Sequence, residues 1–235
     1  MDELRALILA AGRGSRMRPL SDRTPKPLLA AGGASLIEWQ LRALARAGID
    51  RIVINLAHLG TQIEQALGDG ARYGVRIAYA VEGALAADAL ETRGAIVNAL
   101  AALGERPFVV TSGDIVTGFD YRSLRERAAI IARGDADAHL VLVDNPPWHP
   151  GGDLGLARDR ASRAPPLLTY GNIGVFAPRL FAALAPVRER LFPWFYQFID
   201  AGRVSAEHYR GPWHNVGTPQ DLAALDRALR DGDGA

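Results

Sequence analysis

Short apolar runs ending at glycine alternate with segments of helical period along the first half of the chain, and this alternation admits few folds other than layered α/β. Residues 4–10 form the first run and end in Ala-Ala-Gly, which reads as a buried parallel strand entering a Gly-rich turn. Ser35-Leu36-Ile37-Glu38 has the form of a capping box, and Ile37, Leu41 and Leu44 share a helix face that Gly48 terminates. Further strands read at 52–56, 75–81 and 108–111, with one helix opened by a second capping box, Thr61-Gln62-Ile63-Glu64, and another over 95–103. Residues 144–166, rich in Pro, Gly and Asp, read as an irregular arm or hairpin over the sheet edge. A strand over 168–176, a helical pair over 179–201 and a last helix opened by Thr218-Pro219 complete the pattern. The expected architecture is one domain over residues 1–235. It is a three-layer, Rossmann-like open sheet, mostly parallel but mixed, with its ligand crevice at the strand carboxyl ends.

Composition narrows the function classes. At 235 residues, 49% hydrophobic and 23% charged, the chain supports a full core, and bulk disorder is excluded. A net charge of +1 gives no global field toward nucleic acid or an anionic membrane, so any phosphate affinity is local. There is no cysteine, which removes disulfides, thiolate nucleophiles and Cys-based zinc sites, and the five histidines show no metal-ligand spacing. The Met1-Asp2-Glu3 start and the short apolar run at 6–11 lack the cationic n-region of a signal peptide and the length of a membrane span, which predicts a cytoplasmic protein.

The chemistry concentrates in the loop after the first strand. Gly12-Arg13-Gly14-Ser15-Arg16-Met17 begins like a dinucleotide fingerprint but places Met17 where the third Gly belongs, and no Gly-Lys-Ser/Thr completes a P-loop. What remains is a Gly-rich turn with five cations, Arg13, Arg16, Arg18, Arg23 and Lys26, against only Asp22. Pro19, Pro25 and Pro27 forbid a continuous helix, so these cations stand on a shaped loop. Gly12 and Gly14 let backbone N–H groups approach phosphate oxygens while Arg and Lys neutralise them, which makes a polyphosphate cradle. Lys26 is the single lysine among 27 basic residues, which marks a position where a compact ammonium differs from a guanidinium. Ser112-Gly113-Asp114 ends a strand with a carboxylate, either a turn or cap residue or a ligand for Mg²⁺ beside the phosphates.

The run Leu9-Ala10-Ala11-Gly12-Arg13-Gly14-Ser15-Arg16-Met17, followed by Pro25-Lys26-Pro27, resembles the signature of the sugar-1-phosphate nucleotidyltransferase family. Leu67-Gly68-Asp69-Gly70, Ser112-Gly113-Asp114, Gly171-Asn172-Ile173-Gly174 and Trp213-His214-Asn215-Val216-Gly217-Thr218 fall in that family's order. The Leu90-Glu91-Thr92 turn, Glu207-His208-Tyr209-Arg210-Gly211 and the stop near 235 are most similar to its members that uridylylate N-acetylmuramate 1-phosphate in cell-wall recycling. The resemblance implies in-line attack of a sugar 1-phosphate on the α-phosphorus of an NTP, UTP being favoured, with Mg²⁺ as cofactor. It implies that Leu9, Ala10, Ala11 and Gly12 line the nucleoside, that Gly14 meets the phosphates and that Arg16 stabilises the triphosphate and leaving pyrophosphate. Lys26 would bridge the α-phosphate and the sugar phosphate, Asp114 would hold Mg²⁺ with Asn215 as second ligand, Asn172 would touch the sugar, and Glu82 and Thr92 the base. A monomer or homodimer without nucleic-acid or membrane partners is expected.

Three departures from the family pattern stand out. Asn215 replaces the usual second metal-binding Asp, and an amide is the weaker ligand. Arg93 and Ala95 stand where the family has small residues or Gly, so Arg93 either crowds the base and sugar or points to solvent. Residues 84–89 read as a short insertion beside the base pocket. These leave guanylyl transfer to mannose 1-phosphate or another sugar-1-phosphate nucleotidyl transfer, or a catalytically weakened nucleotide-sugar binding protein, as the alternatives. Phe192, Trp194, Phe195 and Phe198 read as core, His208 and His214 as packing or hydrogen-bonding residues, and Asp120 as a cap.

Overall fold

The computed structural model describes residues 4–232, and the Met1-Asp2-Glu3 start lies outside them. In chain order the strands are β1 (Arg5–Leu9), β2 (Ala30–Ala31), β3 (Ala34–Ser35), β4 (Arg51–Leu56), β5 (Arg76–Val81), β6 (Phe108–Ser112) and β7 (Ile115–Thr117). They continue as β8 (Ala138–Val143), β9 (Leu154–Ala157), β10 (Arg160–Ser162), β11 (Leu167–Phe176), β12 (Val204–Tyr209) and β13 (Trp213–Asn215). The α-helices are α1 (Leu36–Arg46), α2 (Gly60–Leu67), α3 (Glu91–Leu103), α4 (Leu124–Ala132), α5 (Tyr196–Asp200) and α6 (Pro219–Asp231).

Nine of the described strands make one mixed sheet in the order β5-β4-β1-β6-β11-β8-β12-β10-β9. The four at one side are parallel; β1, β4 and β6 are nearly continuous apolar runs covered on both faces, while β5 at the sheet edge is partly exposed. β1 sets the register of the site: Leu9 stands level with Asn55 of β4 on one flank and Ser112 of β6 on the other. β11 runs antiparallel beside β6 and β8 and makes the sheet mixed, while β8 and β12 pair in parallel. All six residues of β8 are buried, so the core continues past the parallel half. β8 and β12 lie outside the alternation read from the sequence.

The sequence signals that held have visible causes. The Ser35 capping box forms, with Ser35 N–H donating to Glu38 Oε2 at 2.7 Å, and α1 buries Leu36, Ile37, Leu41 and Leu44 along one face. Each such aliphatic side chain contributes about 1.5–3 kcal/mol on burial. Thr218 caps α6, and Asp120 accepts from the Arg122 N–H at 3.0 Å. Phe195 is fully buried, and Phe192, Trp194 and Phe198 pack their rings around it, as a core cluster should. His208 hydrogen-bonds Asp144 Oδ1 at 2.8 Å.

Three expectations need correction. Thr61 caps nothing: Leu59, at φ 55°, turns the chain in the left-handed region, α2 starts at Gly60, and Thr61 lies inside its first turn. Residues 179–201 are not a helical pair but one 3₁₀ turn, Pro178–Leu180, and the short α5, because Pro186 and Pro193 remove backbone donors between them. The segment expected to lie over the sheet edge instead extends it, since β9 and β10 pair with each other and β10 pairs with β12. No helix among the described residues is long and apolar enough to cross a membrane.

Candidate active site

A cleft of about 660 Å³ opens at the carboxyl ends of β1, β4, β5 and β6, where parallel sheets present ligands. Leu9, Ala10, Ala11, Gly12, Arg13, Gly14, Ser15, Arg16 and Lys26 line it from the β1–α1 loop, and Ser112 and Asp114 from the end of β6. Glu82, Ala89, Glu91, Thr92 and Ala95 close the side next to α3. The loop is shaped as its prolines require, into three single 3₁₀ turns at Ser15–Met17, Leu20–Asp22 and Lys26–Leu28. Gly14, at φ 62°, makes the left-handed step into the first of them, and its Cα lies so close to Lys26 that a Cβ would meet Lys26 Cβ at 3.0 Å.

Lys26 is only 9% exposed, and its Nζ donates to Asp114 Oδ2 at 2.5 Å. The two residues the sequence singled out for phosphate and metal chemistry therefore meet, although 88 positions apart. Behind them a buried polar network holds β6 and β7: Gln40 Nε2 donates to Ile115 O at 2.7 Å, and Gln40 Oε1 accepts from Tyr121 Oη. Thr111 Oγ1 lies 2.9 Å from Tyr121 Oη, and burial pushes the Tyr121 phenol up, keeping it neutral.

On the other flank, Asn55 connects strand ends to the cleft wall. Its Oδ1 accepts from Ala10 N–H at 2.6 Å, and its Nδ2 donates to Glu82 Oε1 at 2.6 Å. Glu82 Oε2 also accepts from Leu90 N–H at 2.7 Å. Burial raises the Glu82 carboxyl above the usual carboxylate range, against the lowering effect of the Asn55 and Leu90 donors.

Two candidate residues do not line the cleft. Asn172 sits at a bulge of β11 with φ 55°, between Tyr170 and Ile173, so the expected sugar contact is not brought there by this arrangement. Asn215 pairs with Ile115 on β7, next to the Val216 N–H to Asp114 O hydrogen bond of 3.1 Å, and so adjoins Asp114 without joining the lining. Among the described residues no cluster of three His, Cys, Asp or Glu could hold a metal ion by itself. One carboxylate with a neighbouring amide fits a hard divalent ion that arrives with phosphate oxygens.

Arg93 neither crowds the cleft nor points to solvent. Its side chain, 16% exposed, pairs with Glu189 at 3.7 Å and lies 5.4 Å from the Trp194 ring centroid. The expected insertion forms a 3₁₀ turn, Ala86–Asp88, with Asp88 Oδ2 accepting from Leu85 N–H at 2.8 Å. Asn55, Arg188 and Arg190 line the cleft from outside the motifs read in the sequence, and Glu91 and Gly217 line it from within motifs that gave them no role. Asn55, one residue before the end of β4, stands in register with Leu9, a signal legible only once strand pairing is known.

Residues 5–158 match the model of the nucleotidyl transferase family. An N-acetylmuramate alpha-1-phosphate uridylyltransferase of Neisseria meningitidis serogroup B is 45% identical over 221 residues, covering 92% of this chain and 94% of that protein. A protein of the same description from Caulobacter vibrioides is 31% identical, covering 96% and 97% of the two chains. In fold, the chain matches the crystal structure of a putative glucose-1-phosphate thymidylyltransferase from Bacillus anthracis with a TM-score of 0.83, at 20% identity and with 97% and 96% of the chains covered. The Gly-rich cationic loop, the cleft at the strand ends and these matches agree: the chain belongs to the nucleotidyl transferase family, in its sugar-1-phosphate nucleotidyltransferase branch.

Proposed function

We propose that this chain transfers a uridylyl group from UTP to N-acetylmuramate 1-phosphate, forming UDP-N-acetylmuramate and pyrophosphate. The choice of base and sugar is supported by the 45% identity to the Neisseria relative along almost the full length of both chains. The observation that carries the chemistry is the meeting of Lys26 and Asp114 in the same cleft as Gly14 and Arg16.

A phosphate oxygen of the sugar 1-phosphate attacks the α-phosphorus of UTP in line. A P–O bond forms as the bond to the pyrophosphate oxygen breaks, and the electron pair leaves with pyrophosphate. The chain's own task is positioning and charge neutralisation. Leu9, Ala10, Ala11 and Gly12 pack against the nucleoside, with Glu82 and Thr92 beside the base. Gly14 and its neighbouring N–H groups receive the phosphates, and Arg16 neutralises the charge that grows on the leaving pyrophosphate. Lys26 holds the α-phosphate and the incoming sugar phosphate together, its ammonium aimed by Asp114. Asp114 is the residue that would hold Mg²⁺, with Asn215 on the adjoining strand as second candidate, and the ion would neutralise phosphate charge and orient the triphosphate. Because UTP is a cytoplasmic metabolite, the reaction is a cytoplasmic one.

The test is a matrix of nucleoside triphosphates and sugar 1-phosphates, with pyrophosphate release as the signal and mass spectrometry of the product. Turnover confined to UTP with N-acetylmuramate 1-phosphate is expected. Preferential turnover of GTP with mannose 1-phosphate would replace this reading.

A further inference from the structure

The cleft carries two cations that the phosphate cradle does not account for. Arg188 and Arg190 line it, and they come not from the β1–α1 loop but from the irregular segment between Phe181 and α5. That segment is tied to the first turn of α3. Glu189 O accepts from Arg93 N–H at 3.0 Å, a donor that a helix start leaves without an intrahelical partner, and from Gly94 N–H at 3.3 Å. Glu189 N–H donates back to Leu90 O at 2.9 Å. The contact admits nothing larger than glycine, since a Cβ on Gly94 would stand 2.1 Å from Val187 O. With the Glu189 backbone turned to α3, the residues on either side of it, Arg188 and Arg190, reach the cleft.

Both guanidinium groups face the Glu91 carboxylate, at 3.7 and 3.9 Å. These distances bring the charges together but exceed hydrogen-bond length, so the N–H donors are not committed to Glu91. Glu82, the other carboxyl on this side of the cleft, already accepts from Asn55 Nδ2 and Leu90 N–H, so the uncommitted charge here is that of Arg188 and Arg190, which come from a different segment than Arg13, Arg16 and Lys26. A neutral sugar has no use for that charge. N-acetylmuramate has one: it differs from N-acetylglucosamine by a lactyl ether that ends in a carboxylate.

We propose that Arg188 and Arg190 form a carboxylate-recognition subsite that selects an acidic sugar 1-phosphate over its neutral counterpart, an inference that rests on the uridylyltransferase reading above. The fork of donors on each guanidinium suits a planar carboxylate. A contact with a carboxylate that takes no part in the reaction is uniform across ground and transition states, so its loss appears in KM and not in kcat.

The experiment compares N-acetylmuramate 1-phosphate with N-acetylglucosamine 1-phosphate, each with UTP, in the wild type, in Arg188→Gln/Arg190→Gln and in Arg188→Lys/Arg190→Lys. Both side chains are largely exposed, 60% and 81%, so the variants fold. In the glutamine variant KM for the carboxylated sugar should rise about 10- to 100-fold, as expected for charged hydrogen bonds, and the preference between the sugars should fall by the same factor. The lysine variant should recover part of it. An equal loss on both sugars, or a loss confined to the KM for UTP, would overturn the subsite. A wild type that turns over some other sugar 1-phosphate and not N-acetylmuramate 1-phosphate would instead overturn the substrate reading, and this inference with it.

Discussion

Lys26 Nζ lies 2.5 Å from Asp114 Oδ2, joining the β1–α1 loop to the end of β6 across the mouth of the cleft. Because the ammonium is nearly buried, its direction is set by the carboxylate, and the two act as one unit on whatever phosphate enters. Their kinetic effects are therefore expected to be non-additive. Lys26→Ala/Asp114→Ala should lose about as much kcat as the worse single variant, and fully multiplicative losses would show that the pair is not coupled.

Gly14 holds a left-handed backbone with φ 62°, against the Lys26 side chain. Gly14→Ala is expected to destabilise the loop by about 1–2 kcal/mol through its backbone alone, and to push Lys26 aside. Chemical denaturation should record the first effect, and a fall in kcat larger than the rise in KM for the nucleotide should record the second.

Asn55 is 3% exposed and bridges Ala10 N–H to Glu82. Asn55→Ala leaves the buried Ala10 N–H without its partner and the half-buried Glu82 carboxyl with only its Leu90 donor, at a cost of about 1–3 kcal/mol. Since Ala10 lines the cleft in the turn proposed to hold the nucleoside, nucleotide affinity measured by calorimetry should weaken. Unchanged affinity in a folded variant would show that the turn is held by other contacts.

His139 is fully buried, its Nε2 2.9 Å from Glu207 Oε1 and its Nδ1 2.9 Å from Ser205 Oγ. A carboxylate only accepts, so Nε2 carries the proton and Nδ1 accepts from the serine hydroxyl. Burial lowers the imidazole below its ordinary value, against the raising effect of Glu207, and burial lowers His214 too. The unfolded chain then binds protons that the folded chain does not. Stability is fully present above the ordinary histidine value of about 6.5 and falls as pH drops below it toward the folded values. Urea midpoints taken at about pH 7.5 and 5.5, either side of that value, should show the loss in the wild type and a smaller one in His139→Gln. Equal losses in both proteins would acquit His139.

The parallel half of the fold was legible because buried parallel strands are continuous apolar runs, two of them closed by Gly or Asp, at Gly12 and Asp114. The cation-bearing loop was legible in its residue types: glycines for close approach, prolines to block a helix, and cations at close spacing. What escaped was set by tertiary pairing. Arg188 and Arg190 look like solvated charges in the sequence, and only the bond from Glu189 to the start of α3 carries them to the cleft. Arg93 reads as an obstruction beside the base, yet the Trp194 ring and Glu189 draw it away. Thr61 matches a capping box in pattern, but the left-handed Leu59 starts the helix too early for it to cap. The bulge at Asn172 depends on a register shift between β11 and β8 that no local signal announces.

The central claim, that the Lys26 and Asp114 cleft performs uridylyl transfer, is tested most directly by single-turnover pyrophosphate release from UTP and N-acetylmuramate 1-phosphate, comparing the wild type with Lys26→Ala. Removing a charge contact of this kind costs about 3 kcal/mol at the transition state, so the rate should fall about 10²- to 10³-fold with the fold intact. Equal rates in the two proteins would remove Lys26 from the mechanism and contradict the account.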